Sequence, residues 1–369
     1  MSTLMIAGGG TGGHIYPAIA IAREYVARDA SRKVVFVGTE RGLEKNIVPK
    51  AGFPLEFINV GGLKGKGGLD LIRNVARLPL GFIDAWRAVG RHKPDVVLGV
   101  GGYSSGPVLM SAILRRVPTI IHEANAFPGL ANRVVARWVT AVAVAFNDAL
   151  PRMKRTDGVI TGNPIRKEFF EVGDRRSRLS GQAGLPALHK QRVLVFGGSQ
   201  GSRVLNDAMT GALLFLARHK DTLEIVHQTG PAELEKVRTA YNQSAFTSAR
   251  VVPYLDPMAD EIAAADVVVS RSGAMTVGEL AAVGRAAILV PFAAATNNHQ
   301  ELNARVVERA GGAVVITEAE LTPERLAGAI GEIVSNPERA ARMGAAARTI
   351  ATPEATKTIV DLIERIQRN

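Results

Sequence analysis

The N-terminal stretch MIAGGGTGGHIYP combines closely spaced glycines with a histidine. Gly8, Gly10 and Gly13 have the G-x-G-x-x-G spacing that lets a backbone approach a pyrophosphate, and His14 follows directly. A dinucleotide site has no use for an imidazole there. An imidazole at this position could instead act as a general base that takes a proton from a hydroxyl. The stretch alone leaves two interpretations open: a dinucleotide fingerprint, or a glycine turn built for another phosphorylated substrate.

The same pattern occurs again in the second half of the chain. LVFGGSQGSR repeats MIAGGGTGGH, so that Gly197, Gly198 and Gly201 align with glycines of the first copy. β-Branched runs alternate with helical patterns throughout, which is typical of parallel sheets covered by helices. We therefore predict an α/β fold of two doubly wound, Rossmann-like domains that face each other across a ligand-binding cleft.

The turn signals place the domain boundaries. Residues 1–163 form the predicted first domain and residues 164–349 the second, because Asn163-Pro164 marks a turn before a basic, helix-breaking stretch. A final helix over about residues 350–369 is expected to pack back on the first domain.

Composition limits the classes of function. The 369 residues are 47% hydrophobic and 21% charged, as in soluble globular proteins, and the absence of cysteine excludes disulfides and thiolate metal sites. A net charge of +11 favours an anionic partner, but 5% aromatic residues and no zinc-finger spacing argue against nucleic acid. No signal peptide is expected, and the uncharged run at residues 96–114 is predicted to be strand, glycine turn and helix, not a membrane span.

Seven motifs in order carry a family resemblance. They are GGTGGHIYP (Gly9–Pro17), GGYSSGP (Gly101–Pro107), HEANAFPGLANR (His122–Arg133), GNPIR (Gly162–Arg166), GGSQGS (Gly197–Ser202), RSGAMTVGE (Arg271–Glu279) and HQELNA (His299–Ala304). Together they closely resemble the MurG family of bacterial glycosyltransferases, from the first strand to the last motif. The resemblance implies the glycosyltransferase B fold and inverting transfer of N-acetylglucosamine from UDP-GlcNAc to the MurNAc 4-hydroxyl of lipid I (undecaprenyl-pyrophosphoryl-MurNAc-pentapeptide), which makes lipid II for peptidoglycan.

The acceptor side is expected in the first domain. His14, between the first strand and a helix expected to begin near Pro17, is the predicted general base. Glu123 is a competing base, and His122 is more suited to a structural role. Thr11, Gly12 and Gly13 are predicted to line the junction of donor and acceptor.

The donor side is expected in the second domain. A helix that starts at Ser272-Gly273 presents free N–H groups to a diphosphate, and Glu279 accepts the ribose hydroxyls. The resemblance further implies phosphate contacts from Ser199 and Arg166, a uracil contact from the Leu255 backbone, and sugar contacts from Asn125 and Gln300. The remaining predicted donor contacts are Ala274, Met275, Thr276, Val277 and Gly278. No metal ion or cofactor is expected, because the sequence has no Asp-x-Asp and its histidines are scattered.

Other functions remain as alternatives. An oxidoreductase would use Glu40 as its acidic ribose ligand, but this leaves His14 and the second glycine turn unexplained. A UDP-GlcNAc epimerase, a UDP-sugar-dependent glycolipid transferase with another acceptor, and a non-enzymatic sugar-binding protein are the others. Incubation with labelled UDP-GlcNAc separates them.

Residues 61–91 predict a membrane-facing surface. Apolar residues at helical spacing are surrounded by Lys64, Lys66, Arg73, Arg77, Arg87 and Arg91. We expect some of Leu78, Phe82, Ile83 and Trp86 to be exposed near the glycine turns and to enter an anionic headgroup layer. The predicted location is peripheral, at the cytoplasmic face of the bacterial inner membrane.

Overall fold

The chain forms two compact units. A computed structural model describes residues 2–10, 12–60, 78–180 and 190–368. Unit 1 comprises Met1–Ile165 together with Glu354–Asn369, and unit 2 comprises Arg166–Pro353. The boundaries predicted from the sequence lie after residue 163 and near residue 350.

Unit 1 is built on a seven-stranded parallel sheet with strand order β3-β2-β1-β4-β5-β6-β7. Its central strands are buried on both faces because helices cover them, which explains their continuous apolar runs. The strands are β1 (Thr3–Gly8), β2 (Lys33–Gly38), β3 (Leu55–Phe57), β4 (Val96–Gly101), β5 (Thr119–Glu123), β6 (Ala141–Val144) and β7 (Val159–Ile160). The helices are α1 (Gly12–Arg28), α2 (Glu44–Lys50), α3 (Leu78–His92), α4 (Ser105–Leu114), α5 (Leu130–Val135) and α6 (Ala149–Arg152).

Unit 2 repeats this plan on a six-stranded parallel sheet with strand order β10-β9-β8-β11-β12-β13. The strands are β8 (Gln191–Phe196), β9 (Leu223–Gln228), β10 (Arg250–Val252), β11 (Val267–Ser270), β12 (Ala286–Leu289) and β13 (Ala313–Val315). The helices are α7 (Lys167–Ser180), α8 (Arg203–Leu216), α9 (Leu234–Asn242), α10 (Met258–Ala264), α11 (Ala274–Val283), α12 (His299–Arg309), α13 (Pro323–Val334) and α14 (Pro337–Arg348).

The C-terminal helix, α15 (Ala355–Gln367), packs on α1 within unit 1. Its apolar stripe, which includes Ile359 and Ile363, is fully buried in the unit 1 core. Two ion pairs fix its polar edge, Arg28 to Asp361 at 2.5 Å and Arg32 to Glu364 at 2.7 Å. The last helix therefore belongs physically to the unit that begins the chain.

The fold predicted from the sequence is confirmed, with two local errors. One is that the basic stretch after Pro164, expected to break helices, forms helix α7 as far as Ser180. Both units are doubly wound α/β domains, and the uncharged run at residues 96–114 is strand β4, a turn and helix α4. Helix α1, however, begins at Gly12 and not near Pro17. Proline favours the first position of a helix, but the left-handed residue Gly10, at φ 93°, already turns the chain into the helix before Pro17 is reached.

The described residues contain neither a membrane-spanning helix nor a cluster of metal ligands. No helix in residues 2–10, 12–60, 78–180 or 190–368 is long and apolar enough to cross a membrane. Within the same residues, no group of three or more His, Asp or Glu side chains is arranged to hold a metal ion.

Candidate active site

The two turns that carry the unit 1 site lie at its topological switch point, between β1 and β4. Ligands bind at the carboxyl ends of parallel strands where the strand order reverses. Gly101, the last residue of β4, and Gly102 after it have φ of 97° and 85°, in the left-handed region that favours glycine. A Cβ atom on Gly102 would lie 2.5 Å from the Gly9 carbonyl oxygen, so the two turns approach backbone to backbone.

His14 lies half-buried in the first turn of α1 at this switch point. Its Nδ1 is 3.2 Å from the Gly9 carbonyl oxygen, and because a carbonyl only accepts, Nδ1 carries the hydrogen. In the neutral ring Nε2 is then the free acceptor. A Cβ on Gly101 would be 3.1 Å from Nε2, so the missing side chain leaves room beside this nitrogen.

The competing base, Glu123, is engaged in a structural role. It is 3% exposed and ends β5. Its Oε1 accepts the N–H of Asn125 at 3.0 Å, and its Oε2 accepts the N–H of Gly129 and the Nδ2 of Asn132, both at 2.9 Å. These bonds shape the loop before α5. His122 is also buried. Its Nε2–H donates to the Gly162 carbonyl oxygen at 3.2 Å, and burial lowers its pKa.

A carboxylate that sequence reasoning missed, Glu44, fills the inside of the first glycine turn. It is 1% exposed, and its Oε2 accepts the Gly10 N–H at 2.8 Å. Its Oε1 accepts the N–H and the hydroxyl of Thr39 at 2.9 and 3.0 Å. The Gly10 N–H is therefore not available to a phosphate. The glycines at 38 and 42 were the only signal in the sequence for a buried group there.

In unit 2 the switch point lies between β8 and β11. Residues 197–202 connect β8 to α8, and Ser199 at their centre is exposed. Gln228, at the end of β9, donates from Nε2 to the Gly198 carbonyl at 2.8 Å and accepts the Leu255 N–H at 3.3 Å. The predicted uracil contact at the Leu255 backbone is thus reduced to its carbonyl group. Gln228 was not predicted, because a glutamine at a strand end has no distinctive pattern.

Helix α11 brings the predicted donor residues to the same edge. Gly273 precedes the helix without a side-chain cap, and the first N–H groups of a helix have no intrahelical partner. Glu279 follows on this helix, with its Oε1 3.5 Å from Arg166 Nη2. Burial raises the pKa of Glu279 to about 7, although the Arg166 charge acts in the opposite direction. Arg166 also pairs with Glu168 at 2.8 Å.

Gln300 lies next to the start of α11. Its backbone carbonyl accepts the Ser272 hydroxyl at 2.8 Å, and its Oε1 accepts the Phe292 N–H at 3.0 Å. Neither bond uses the hydrogens of its side-chain amide. In unit 2, Gln228 thus links the turn that carries Ser199 to Leu255, Arg166 lies beside Glu279, and Gln300 is bonded to Ser272 at the start of α11. His14, Gly12, Gly13 and Asn125 lie in unit 1, and Thr11 is outside the described residues.

The expected membrane surface is described only in part. Residues 61–77 and the side chain of Leu78 lie outside the described part of the chain. On the rest of α3, Ile83 and Trp86 are exposed, as is Leu80, while Phe82 is half-buried. The Arg115 guanidinium stacks 3.9 Å from the Trp86 ring centroid. The prediction that some of these apolar residues are exposed is confirmed.

Comparison with known proteins agrees with this arrangement of two doubly wound units. Residues 4–144 match the glycosyltransferase family 28 N-terminal domain, and residues 192–366 match the glycosyltransferase family 28 C-terminal domain. The fold and the two switch-point turns are those of a two-domain glycosyltransferase of the B fold. The chain belongs to glycosyltransferase family 28.

Individual relatives narrow the resemblance. A Myxococcus xanthus protein named UDP-N-acetylglucosamine–N-acetylmuramyl-(pentapeptide) pyrophosphoryl-undecaprenol N-acetylglucosamine transferase is 47% identical over 98% of this chain and 92% of its own length. The crystal structure of Acinetobacter baumannii MurG is 28% identical and superposes with a TM-score of 0.80, covering 99% of this chain and all of that one. The resemblance to the MurG family is confirmed.

A more distant structure shares the fold alone. A Neisseria meningitidis UDP-GlcNAc 2-epimerase bound to UDP-GlcNAc is 14% identical, with a TM-score of 0.66 over 99% of this chain and 100% of that chain.

Proposed function

We propose that this protein transfers N-acetylglucosamine from UDP-GlcNAc to the 4-hydroxyl of the MurNAc of lipid I, with inversion, to make lipid II. The full-length relatives named for this reaction support the substrates. The single observation that supports the chemistry is the His14 ring, whose Nδ1–H is committed to the Gly9 carbonyl and whose Nε2 is left as acceptor at a switch point. A hydroxyl-activating base needs this tautomer.

Unit 1 binds the acceptor in this proposal. The 4-hydroxyl of the acceptor gives its proton to His14 Nε2 as its oxygen forms a bond to C1 of the donor sugar. Glu123 is the weaker candidate because its carboxylate oxygens already accept hydrogen bonds from the loop that follows it. Gly12, Gly13 and Thr11 form the proposed junction, and Asn125 contacts the transferred sugar.

Unit 2 binds the donor. As the new bond forms, the bond from C1 to the diphosphate oxygen breaks and UDP leaves with the electron pair. The N-terminus of α11, Ser199 and Arg166 stabilise that negative charge, so that no divalent metal is required. Glu279 accepts the ribose hydroxyls, the Leu255 carbonyl contacts uracil, and Gln300 uses its amide hydrogens on the sugar.

The proposed location is the cytoplasmic face of the inner membrane, where lipid I presents its pyrophosphate. The exposed side chains of Leu80, Ile83 and Trp86 form an apolar surface on α3 with the basic residue Arg115 beside it. Such a surface gives reversible, salt-sensitive attachment to anionic lipid. Sedimentation with anionic and neutral vesicles compares the wild type with Ile83→Ser/Trp86→Ser, and equal binding of both proteins to both vesicle types contradicts the assignment.

The experiment that tests the function uses labelled UDP-GlcNAc with and without a lipid I analogue. Transfer of label to the lipid, insensitive to excess chelator, is expected. Conversion of UDP-GlcNAc to its C2 epimer without acceptor would instead indicate an epimerase, the activity named for one structural neighbour that shares only the fold. Label transferred to other glycolipids but not to the lipid I analogue would indicate a transferase with a different acceptor.

A further inference from the structure

The buried carboxylate of Glu44 and the ring of His14 contact opposite ends of one peptide unit. The Gly9 carbonyl accepts the Nδ1–H of His14 at 3.2 Å, and the N–H of the same peptide, which belongs to Gly10, donates to Glu44 Oε2 at 2.8 Å. The two ends of a peptide are conjugated through its C–N bond. We propose that Glu44 is a positioning residue for His14 and that it acts through the Gly9–Gly10 peptide.

Glycines of two segments surround the Glu44 carboxylate. Gly9 follows β1, whereas Gly38 ends β2 and Gly42 lies between β2 and α2. A Cβ atom on Gly9 would lie 2.3 Å from Glu44 Oε1, one on Gly42 1.9 Å from Oε2, and one on Gly38 2.5 Å from the Glu44 Cγ. Contacts this short exclude any side chain at these positions while Glu44 stays in place. The turn is therefore built around this carboxylate, and its narrow backbone serves the carboxylate as well as any substrate.

His14 needs such a partner because of where it lies. It is in the first turn of α1, where the helix dipole and the unpaired N–H groups disfavour a positive charge. A base that accepts a proton becomes an imidazolium, so this position opposes the reaction. The negative charge of Glu44 polarises the Gly10 N–H and, through the peptide, makes the Gly9 oxygen a stronger acceptor for the imidazolium Nδ1–H.

The step is the one in the proposed function, on which this inference rests. The proton of the acceptor hydroxyl moves to His14 Nε2 while the sugar C1 bond to UDP breaks. Glu44 keeps its charge throughout, and no proton passes through the peptide. It thus orients the ring and stabilises the cation from a distance, as the aspartate of a Ser-His-Asp triad does by direct contact.

The test compares Glu44→Gln with Glu40→Gln, which changes an exposed carboxylate on the loop that leads into α2. We expect Glu44→Gln to lower kcat for transfer to a lipid I analogue by roughly 10- to 100-fold, as with other partners that orient a reacting group. KM for UDP-GlcNAc should stay within about twofold, because unit 2 holds the donor. Glu40→Gln should leave both constants unchanged.

A second readout is independent of activity. ¹⁵N-histidine spectra of the free protein, assigned with His14→Gln, report which ring nitrogen carries the hydrogen. We expect a single Nδ1–H tautomer for His14 in the wild type and a mixture of tautomers in Glu44→Gln. Gly42→Ala, whose new methyl group displaces the Glu44 carboxylate, should give the same kcat loss and the same mixture, and it serves if Glu44→Gln does not fold.

Two results would overturn the inference. One is unchanged kcat in folded Glu44→Gln and Gly42→Ala, and the other is lost kcat with an unaltered His14 tautomer, which would mean that Glu44 only stabilises the fold. Failure of the proposed function is distinguishable, because it would appear as no transfer by the wild type, while the tautomer measurement still judges the contact between Glu44 and His14.

Discussion

The two glycine turns come from one sequence repeat but differ in length and in the side chain to which each is bonded. In unit 1, β1 ends at Gly8 and α1 begins at Gly12, which leaves residues 9–11 between them. In unit 2, β8 ends at Phe196 and α8 begins at Arg203, so residues 197–202 form a turn twice as long. The first turn encloses the Glu44 carboxylate, whereas no carboxylate in the described residues accepts a hydrogen bond from the second turn.

This difference indicates that equal glycine spacing does not mean equal ligands. A turn that already holds an anion on its N–H is suited to position a base and to repel a second anion. The longer turn, whose Gly198 carbonyl accepts a hydrogen bond from the neutral Gln228, has exposed residues at its centre and is suited to a diphosphate. We therefore assign proton transfer to the first turn and donor binding to the second, and the following predictions test that division.

The largest effect should come from the first turn. Replacement of His14 by alanine removes the base, and turnover with a lipid I analogue should fall by roughly 10²–10⁴-fold. Affinity for UDP-GlcNAc, measured by calorimetry, should remain close to that of the wild type. His219→Ala, far along the sequence in unit 2, is the control and should have normal turnover. Near-normal turnover of His14→Ala would move the base to another group.

The next effect belongs to the donor site. Glu279→Ala should weaken UDP-GlcNAc binding by about 2–4 kcal/mol, because two hydrogen bonds to a charged acceptor are lost. Glu168→Ala is a matched control, since Glu168 pairs with the same Arg166 but its side chain is 50% exposed, against 17% for Glu279. Calorimetry that finds equal losses for both variants would remove Glu279 as the ribose ligand.

The pH dependence of donor binding should be smaller. Burial raises the pKa of Glu279 to about 7, so the carboxylate that accepts ribose hydroxyls is mostly protonated at pH 6 and mostly ionised at pH 8. The Kd for UDP-GlcNAc should therefore be about tenfold higher, and binding weaker, at pH 6 than at pH 8. Glu279→Gln, which does not titrate, should give a flat profile. A wild-type profile that is equally flat would contradict this role.

The alternation of apolar runs and helical patterns was sufficient to predict the fold. Val96–Leu114 shows why, since Gly101 and Gly102 punctuate two apolar segments that are each too short to span a membrane. The repeat also pointed to both switch points, because strands of parallel sheets end at the same edge.

The contents of the turns could not be predicted in the same way. Glu44 lies more than thirty residues from Gly10 and reaches it only because β2 pairs with β1. Gln228 likewise meets Leu255 only through the register of the sheet. Contacts of this kind depend on three-dimensional packing, whereas the motifs record only which residues are near one another in the chain.

The smallest predicted effect distinguishes the turns at their aligned positions. In the aligned repeat, Ser199 of the second turn corresponds to Gly10 of the first. Ser199 is exposed, as a residue that binds a phosphate must be. Ser199→Ala should raise KM for UDP-GlcNAc by about 2- to 10-fold, because one hydrogen bond to the donor is lost, and it should leave kcat unchanged. Gln200→Ala, at the next exposed position, should have no effect. A loss of kcat in Ser199→Ala at unchanged KM would place the second turn in the chemical step. It would contradict the assignment of proton transfer to the first turn and donor binding to the second.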